Sequence, residues 1–284
     1  MNRISISQAW AYATSFFSDQ QSNHAIVLIG IGVVVPTVLQ LLMGGSAAAL
    51  DPATLASGAN AFAALGATTF LLGIIAFVLQ TGSYFASWRM GLTPGQESIG
   101  SAISYGMVAA LPVILVFIGF ILVFGIVLGV LFGGALIPAL VGGDASAAGV
   151  AGTAGMVLLA MPLVLAFGLW LSARFCVMGP IMAAGRSYNP IPALGESWRM
   201  TAASQWKLMG YFFLLIIVAM ILAVVLSLVF GVSMLAGGGA GTGSVILLTI
   251  MSALVGIPIA YLYVGIPVGI YKALGGDNAS NIFA

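Results

Sequence analysis

Apolar runs of bilayer-spanning length recur along this chain, over residues 25–43, 61–90, 106–138, 155–184, 208–235 and 245–272, and little else is left. A hydrocarbon core about 30 Å thick takes about 20 helical residues to cross. Inside it every backbone N–H and C=O needs an internal partner, which helices supply within one segment. The fold class these runs predict is all-α integral membrane with six transmembrane helices. Charged residues make up 5% of the 284 and hydrophobic ones 62%, against about 25% charged in soluble domains. The reading is therefore one polytopic membrane domain over 1–284, with no appended soluble domain, Pro-rich linker or charge block.

The few charges carry the topology. All seven Lys and Arg residues (Arg3, Arg89, Arg174, Arg186, Arg199, Lys207 and Lys272) fall at the same face of the six-span pattern, whereas the loops of the other face hold only Asp51 and Asp144. Basic residues favour the cytoplasmic side, so a multi-pass protein of the inner (plasma) membrane with both termini cytoplasmic is expected. Ala47-Ala48-Ala49 imitates a signal-peptide cleavage site, but the run before it is longer than a usual signal core and follows a stretch with only Arg3 basic. It reads as a retained first span.

Between spans the chain shows a recurrent pattern. In residues 4–20, Ile6, Trp10, Ala13 and Phe17 share one helical face and Gln8, Tyr12, Ser15 and Asp19 lie away from it, the pattern of an interfacial amphipathic helix; Ser5 and Gln8 have capping-box spacing. Thr93-Pro94-Gly95-Gln96 reads as the N-cap and first turn of a second such helix. Asn189-Pro190 opens a third, with Leu194, Trp198 and Ala202 on one face and Glu196, Arg199, Ala203 and Lys207 on the other. Three pseudo-repeated hairpin units follow, over 4–90, 93–186 and 190–273, each preceded by a cytoplasmic interfacial amphipathic helix. Trp88 and Arg89, with Trp198 and Trp206, are expected as interface anchors. Pro36 should kink the first span, and Pro162 and Pro180 the fourth, whose segment beyond Arg174 leans over the inner face. Gly125, Gly129 and Gly133 form a small-residue stripe for helix packing, within the chain or between chains.

The chemistry available is sparse. One cysteine, Cys176, and one histidine, His24, provide neither a disulfide nor a metal-ligand pair, so no metal and no cofactor are expected. Clustered Lys and Arg that would mark a nucleic-acid partner are missing as well. Glu97 and Glu196 follow interfacial helix starts, where a carboxylate suits the helix dipole; they are the structural ion-pair candidates, and no residue is assigned as catalytic. Arg174 lies deepest along a predicted span, with the apolar residues 175–184 on its cytoplasmic side. An arginine so placed must snorkel, pair with a carboxylate or bind a phosphate. Arg174, Arg186, Arg199 and Lys207 are the candidate lipid-headgroup set.

Ala193-Leu194, Ser197-Trp198, Thr201 and Trp206-Lys207-Leu208, preceded by Arg174 and Gly179-Pro180, carry a resemblance. Over roughly 170–217 the chain resembles the six-helix bacterial membrane proteins grouped with the membrane domain of glycerophosphodiester phosphodiesterases, and the related YciC-type inner-membrane proteins. Ala184-Gly185 stands where that family commonly has an acidic residue. The resemblance implies a membrane domain connected with lipid or membrane homeostasis, without catalytic residues. Residues and resemblance together lead to the expectation of a non-enzymatic protein in contact with membrane phospholipids, either a scaffold or a subunit alongside other membrane proteins. The alternative is a transporter or channel for a neutral solute or lipid, with Gln80, Tyr261 and Tyr263 as polar lining.

Overall fold

The computed structural model describes residues 4–18, 20–39, 41, 66–140, 162–236 and 242–276. These residues form helices joined by turns, with no strand among them. Six helical segments are long and apolar enough to cross a membrane: Gln21–Leu39, Leu71–Leu92, Ile99–Val127, Pro162–Ala184, Pro190–Ile221 and Ala253–Ala273. In chain order we label α1 Ile6–Ser15, α2 Gln21–Leu39, α3 Gly66–Leu92, α4 Ile99–Leu140, α5 over 162–175, α6 Met178–Ala184, α7 Pro190–Thr201, α8 Gln205–Ala236 and α9 Thr242–Ala273. Asp19, Asp51, Asp144 and Arg3 lie outside the described residues.

α1 starts where Ser5 accepts a hydrogen bond from the backbone N–H of Gln8. Its buried face is Ala9, Ala13 and Phe16, while Trp10 is exposed. This packed face lies about one residue from the apolar face read for the membrane interface, and the reason lies on α9. There Gly265 and Gly269 present bare backbone, and a Cβ on Gly269 would run into the carbonyl oxygen of Ala9. Small residues on both sides let α1 lie directly against α9, which larger side chains at positions 6 and 10 would prevent.

α2 holds its irregularity before its proline. Residues Ile26–Val34 are wound as a π-helix, with Val35 N–H bonding to Gly30 C=O, and the helix then continues through Pro36. Proline removes one donor and its ring crowds the carbonyl four residues back. The wider turn of the i→i+5 register relieves that crowding, so the span is underwound rather than broken.

The predicted interfacial helix at Thr93 is not formed. Thr93-Pro94-Gly95-Gln96 is a turn closed by Gln96 N–H to Thr93 C=O, with Gly95 at φ +77°. Proline at the second position and a left-handed glycine at the third make it a type II turn. Ser98 caps the helix that follows, its Oγ accepting from Ser101 N–H. α4 then runs for 42 residues without interruption, so the second unit of the expected repeat has no separate amphipathic helix.

The fourth span does break beyond Arg174, at Cys176 and Val177, so that Pro180 falls in the first turn of α6, where its missing N–H has no intrahelical acceptor to lose. Asn189 caps α7 through Ile191 N–H, with Pro190 as the first helical residue. The core is packed where α3, the first part of α4, α6 and the last part of α9 meet, around Trp88, Tyr105, Met182 and Val264. Away from it, α4 beyond Leu115 and α8 beyond Phe213 expose their large apolar side chains, among them Ile121, Leu122, Ile126, Leu214, Met220 and Ile221, a surface suited to hydrocarbon. Among the described residues, no atom of another element comes within 4 Å of a Cβ placed on Gly125 or Gly129; the surroundings of Gly133 lie outside the described residues.

Candidate functional site

Contacts tie together, at one end of the bundle, the last turns of α3 and α9, the first turns of α4 and α8, and the short helices α1, α6 and α7. Two polar assemblies are built there.

The first centres on Glu97, in the turn between α3 and α4. Arg89, one residue after the core tryptophan, donates to Glu97 Oε1 through Nε at 3.0 Å and Nη2 at 2.8 Å. Its Nη1 donates to the carbonyls of Ala183 and Ala184 at 2.8 and 3.1 Å, at the end of α6 where carbonyls lack helical partners. Arg186 Nη1 stands 3.3 Å from the same Oε1, and Ser101 Oγ donates to Oε2. The Ser101 hydroxyl, then the Arg89 guanidinium, hold the Glu97 carboxyl below the usual range, because both favour the charged form. Arg89 was expected as an interface anchor and is buried instead; so is Trp88, whose Nε1–H donates to Val264 C=O at 2.9 Å. Gly179 lies flat against the Trp88 ring, leaving no room for a Cβ.

The second assembly surrounds Arg174, which is 8% exposed. Its guanidinium carbon lies 4.2 Å from the centre of the Trp198 ring, and its Nη1 donates to Trp198 C=O at 3.0 Å. In return the Arg174 carbonyl accepts from Ser197 Oγ at 2.8 Å and Thr201 Oγ1 at 3.3 Å. A cation near the last turn of α7 complements the helix dipole, and the ring face adds a cation–π attraction. Among the described residues no carboxylate lies within ion-pair distance of Arg174, and its Nε is buried with no hydrogen-bond partner. The buried face of α7 is Pro190, Ala193, Ser197 and Thr201, one residue before the expected stripe. Serine and threonine occupy it because they bind the Arg174 carbonyl.

Each of the four cationic candidates therefore has its own neighbours. Arg186 is with Glu97 and Arg174 is on Trp198. Arg199 is exposed and 3.9 Å from Glu196, one helical turn back. Lys207 is exposed, its Nζ 3.4 Å from Ile4 C=O, while Ile4 N–H donates to Ser204 Oγ. Beside Lys207, Trp206 is 73% exposed. Sequence reasoning missed the Arg89–Glu97 pair; the Pro-Gly signature of a reversing turn between them was the available signal.

Farther along the bundle, α2, α3 and α9 enclose a cleft of about 330 Å³ lined by Gly32, Pro36, Thr37, Gln80 and Gly256 among others. Gln80 belongs to it. Tyr261 and Tyr263 are not in its lining: Tyr261 packs edge-on to Phe17 and Tyr263 against Tyr84. His24 is fully buried between Phe16 and Phe17, with Nδ1 2.7 Å from Ser87 Oγ. No protein-family model, curated protein or solved structure matches the chain. Its own structure has six helices able to cross a membrane, the make-up of a multi-pass membrane protein.

Proposed function

We propose that this protein is a non-enzymatic, lipid-contacting scaffold of the inner membrane, its short helices meeting anionic phospholipid headgroups on the cytoplasmic side. One observation carries the reading. α1 and the α7–α8 junction are fastened to each other through Ile4, Ser204 and Lys207, and this joint turns outward Trp10, Trp206, Arg199 and Lys207. Exposed tryptophan beside exposed cations is the chemistry of the headgroup layer. The exposed apolar flanks of α4 and α8 are the continuation of that contact into hydrocarbon. Subunits docking on those flanks fit the same scheme. Arg174 serves in this scheme as a positioning residue, holding α7 and Trp198 in place.

Native mass spectrometry of protein released from nanodiscs of phosphatidylcholine and phosphatidylglycerol tests the reading. The double variant Arg199→Ala/Lys207→Ala should lower bound phosphatidylglycerol roughly tenfold or more, at about 1 kcal/mol for each basic residue at an anionic surface. Arg174→Lys should lower thermal stability with lipid occupancy unchanged, since an ammonium does not reproduce the planar stack on Trp198. Equal phosphatidylglycerol on wild type and the double variant would refute the headgroup assignment.

A second reading, passage of a neutral solute or lipid, draws support from the cleft beside the π-helical part of α2, because π-helical segments frequently mark functional sites. Solute flux into proteoliposomes that Gln80→Leu abolishes would favour it over the scaffold.

A further inference from the structure

Arg186 is the described non-glycine residue with a positive φ, +48°. It occupies the position just past α6, where Ser187 N–H reaches back to Met182 C=O at 2.9 Å and Arg186 N–H to Ala183 C=O at 3.4 Å. These two bonds form a Schellman motif, whose left-handed residue is most often glycine because a Cβ is unfavourable there. The chain has a glycine one position earlier, at Gly185, in an ordinary conformation. The strained position is thus filled by an arginine with a glycine at hand next to it, and strain of this kind is retained where a side chain is needed in one place.

Fold stability does not account for that side chain. Glu97 Oε1 already receives two hydrogen bonds from buried Arg89, and Oε2 receives Ser101. Arg186 adds only an ion-pair contact at 3.3 Å, with 53% of its side chain exposed, and pairs so exposed contribute little. Two guanidinium groups share one carboxylate, leaving the cluster with one positive charge in excess. The excess is on the exposed partner. The backbone around it is rigid: Tyr105 OH donates to Ser187 C=O at 3.0 Å, and Asn189 caps α7.

The geometry points to Arg186 as a phosphate seat, its outward guanidinium edge taking the phosphate of an anionic phospholipid while Glu97 holds the other edge. A guanidinium offers five donors in a planar fork and can serve a carboxylate and a phosphate together. The inference rests on the headgroup-facing orientation proposed above, but on a residue that the Arg199 and Lys207 contact does not include.

The test is Arg186→Gly, with Arg186→Asn as a second variant that also tolerates the left-handed conformation. In the same nanodiscs, both should retain wild-type thermal midpoints or exceed them, and bind phosphatidylglycerol roughly fivefold less, the effect of one basic residue near an anionic surface. If both fold and bind phosphatidylglycerol as wild type does, while Arg199→Ala/Lys207→Ala loses it, the Arg186 seat is overturned and the scaffold reading stands. If no variant loses it, both fall. Inorganic phosphate added to delipidated protein separates the sources. Stabilisation of wild type but not Arg186→Gly by phosphate, with no such difference for phosphatidylglycerol, would make this a free-phosphate site and overturn the lipid assignment.

Discussion

Glu97 is the residue on which the polar end of the bundle depends. It lies in a turn, accepts from Arg89 and Ser101, and through Arg89 binds the end of α6 to the end of α3. Its carboxyl titrates below the ordinary range when folded. A depressed folded value means that the stabilisation is complete above the unfolded value of about 4.3 and is lost as pH falls through the folded one. Thermal midpoints of the wild type should therefore decline on acidification from pH 7 toward pH 3. Glu97→Gln should begin lower at pH 7, by about 3 kcal/mol for a buried arginine deprived of its charge partner, and show a flatter profile. Parallel profiles for the two proteins would remove Glu97 from this role.

Among the elements, α1 has the most legible physics, because it has two contacts to satisfy. Periodicity groups Ile6, Trp10, Ala13 and Phe17 as the apolar face of an interfacial helix, and Trp10 is exposed, whereas the contact with α9 selects for size. Ala9 and Ala13 fit the bare backbone of Gly265 and Gly269, and tryptophan does not. Gly269→Ala should accordingly cost about 1–3 kcal/mol, the usual penalty of overpacking a close contact, because the obstacle is the Ala9 backbone and not a side chain that can rotate. Hydrogen exchange over residues 4–18 should rise in this variant. Gly119→Ala, with open space around its Cβ, is the control and should be neutral or stabilising. Unchanged exchange in Gly269→Ala would show that α1 is not held by this approach.

For the whole molecule, the basic residues predict the side on which the polar end lies. Single cysteines in a Cys176→Ser background report it: one at Asp51 or Asp144 should react with an impermeant reagent outside the cell, and one at Ala279 should not. The reverse pattern would invert the orientation and, with it, the leaflet that Arg199, Lys207 and Arg186 face.

What the sequence by itself determined was the class of structure and the positions of its helices, because burial in hydrocarbon acts on each segment independently and leaves long apolar runs. Ser5, Asn189 and the change of course of the fourth span beyond Arg174 were legible for a similar reason: caps and proline bends are set by neighbours in sequence. The tertiary structure alone decided what those segments do to one another. Trp88 and Arg89 read as surface anchors until α9 and α6 supplied acceptors for their donors, at Val264, Ala183 and Ala184. Arg174 had three open fates in sequence, and the contact it makes is none of them: α7 folds back over it and offers the ring and carbonyl of Trp198. In a chain with so few charges, the partner of each is chosen by which helix ends come within about 3 Å, and no local pattern encodes that distance.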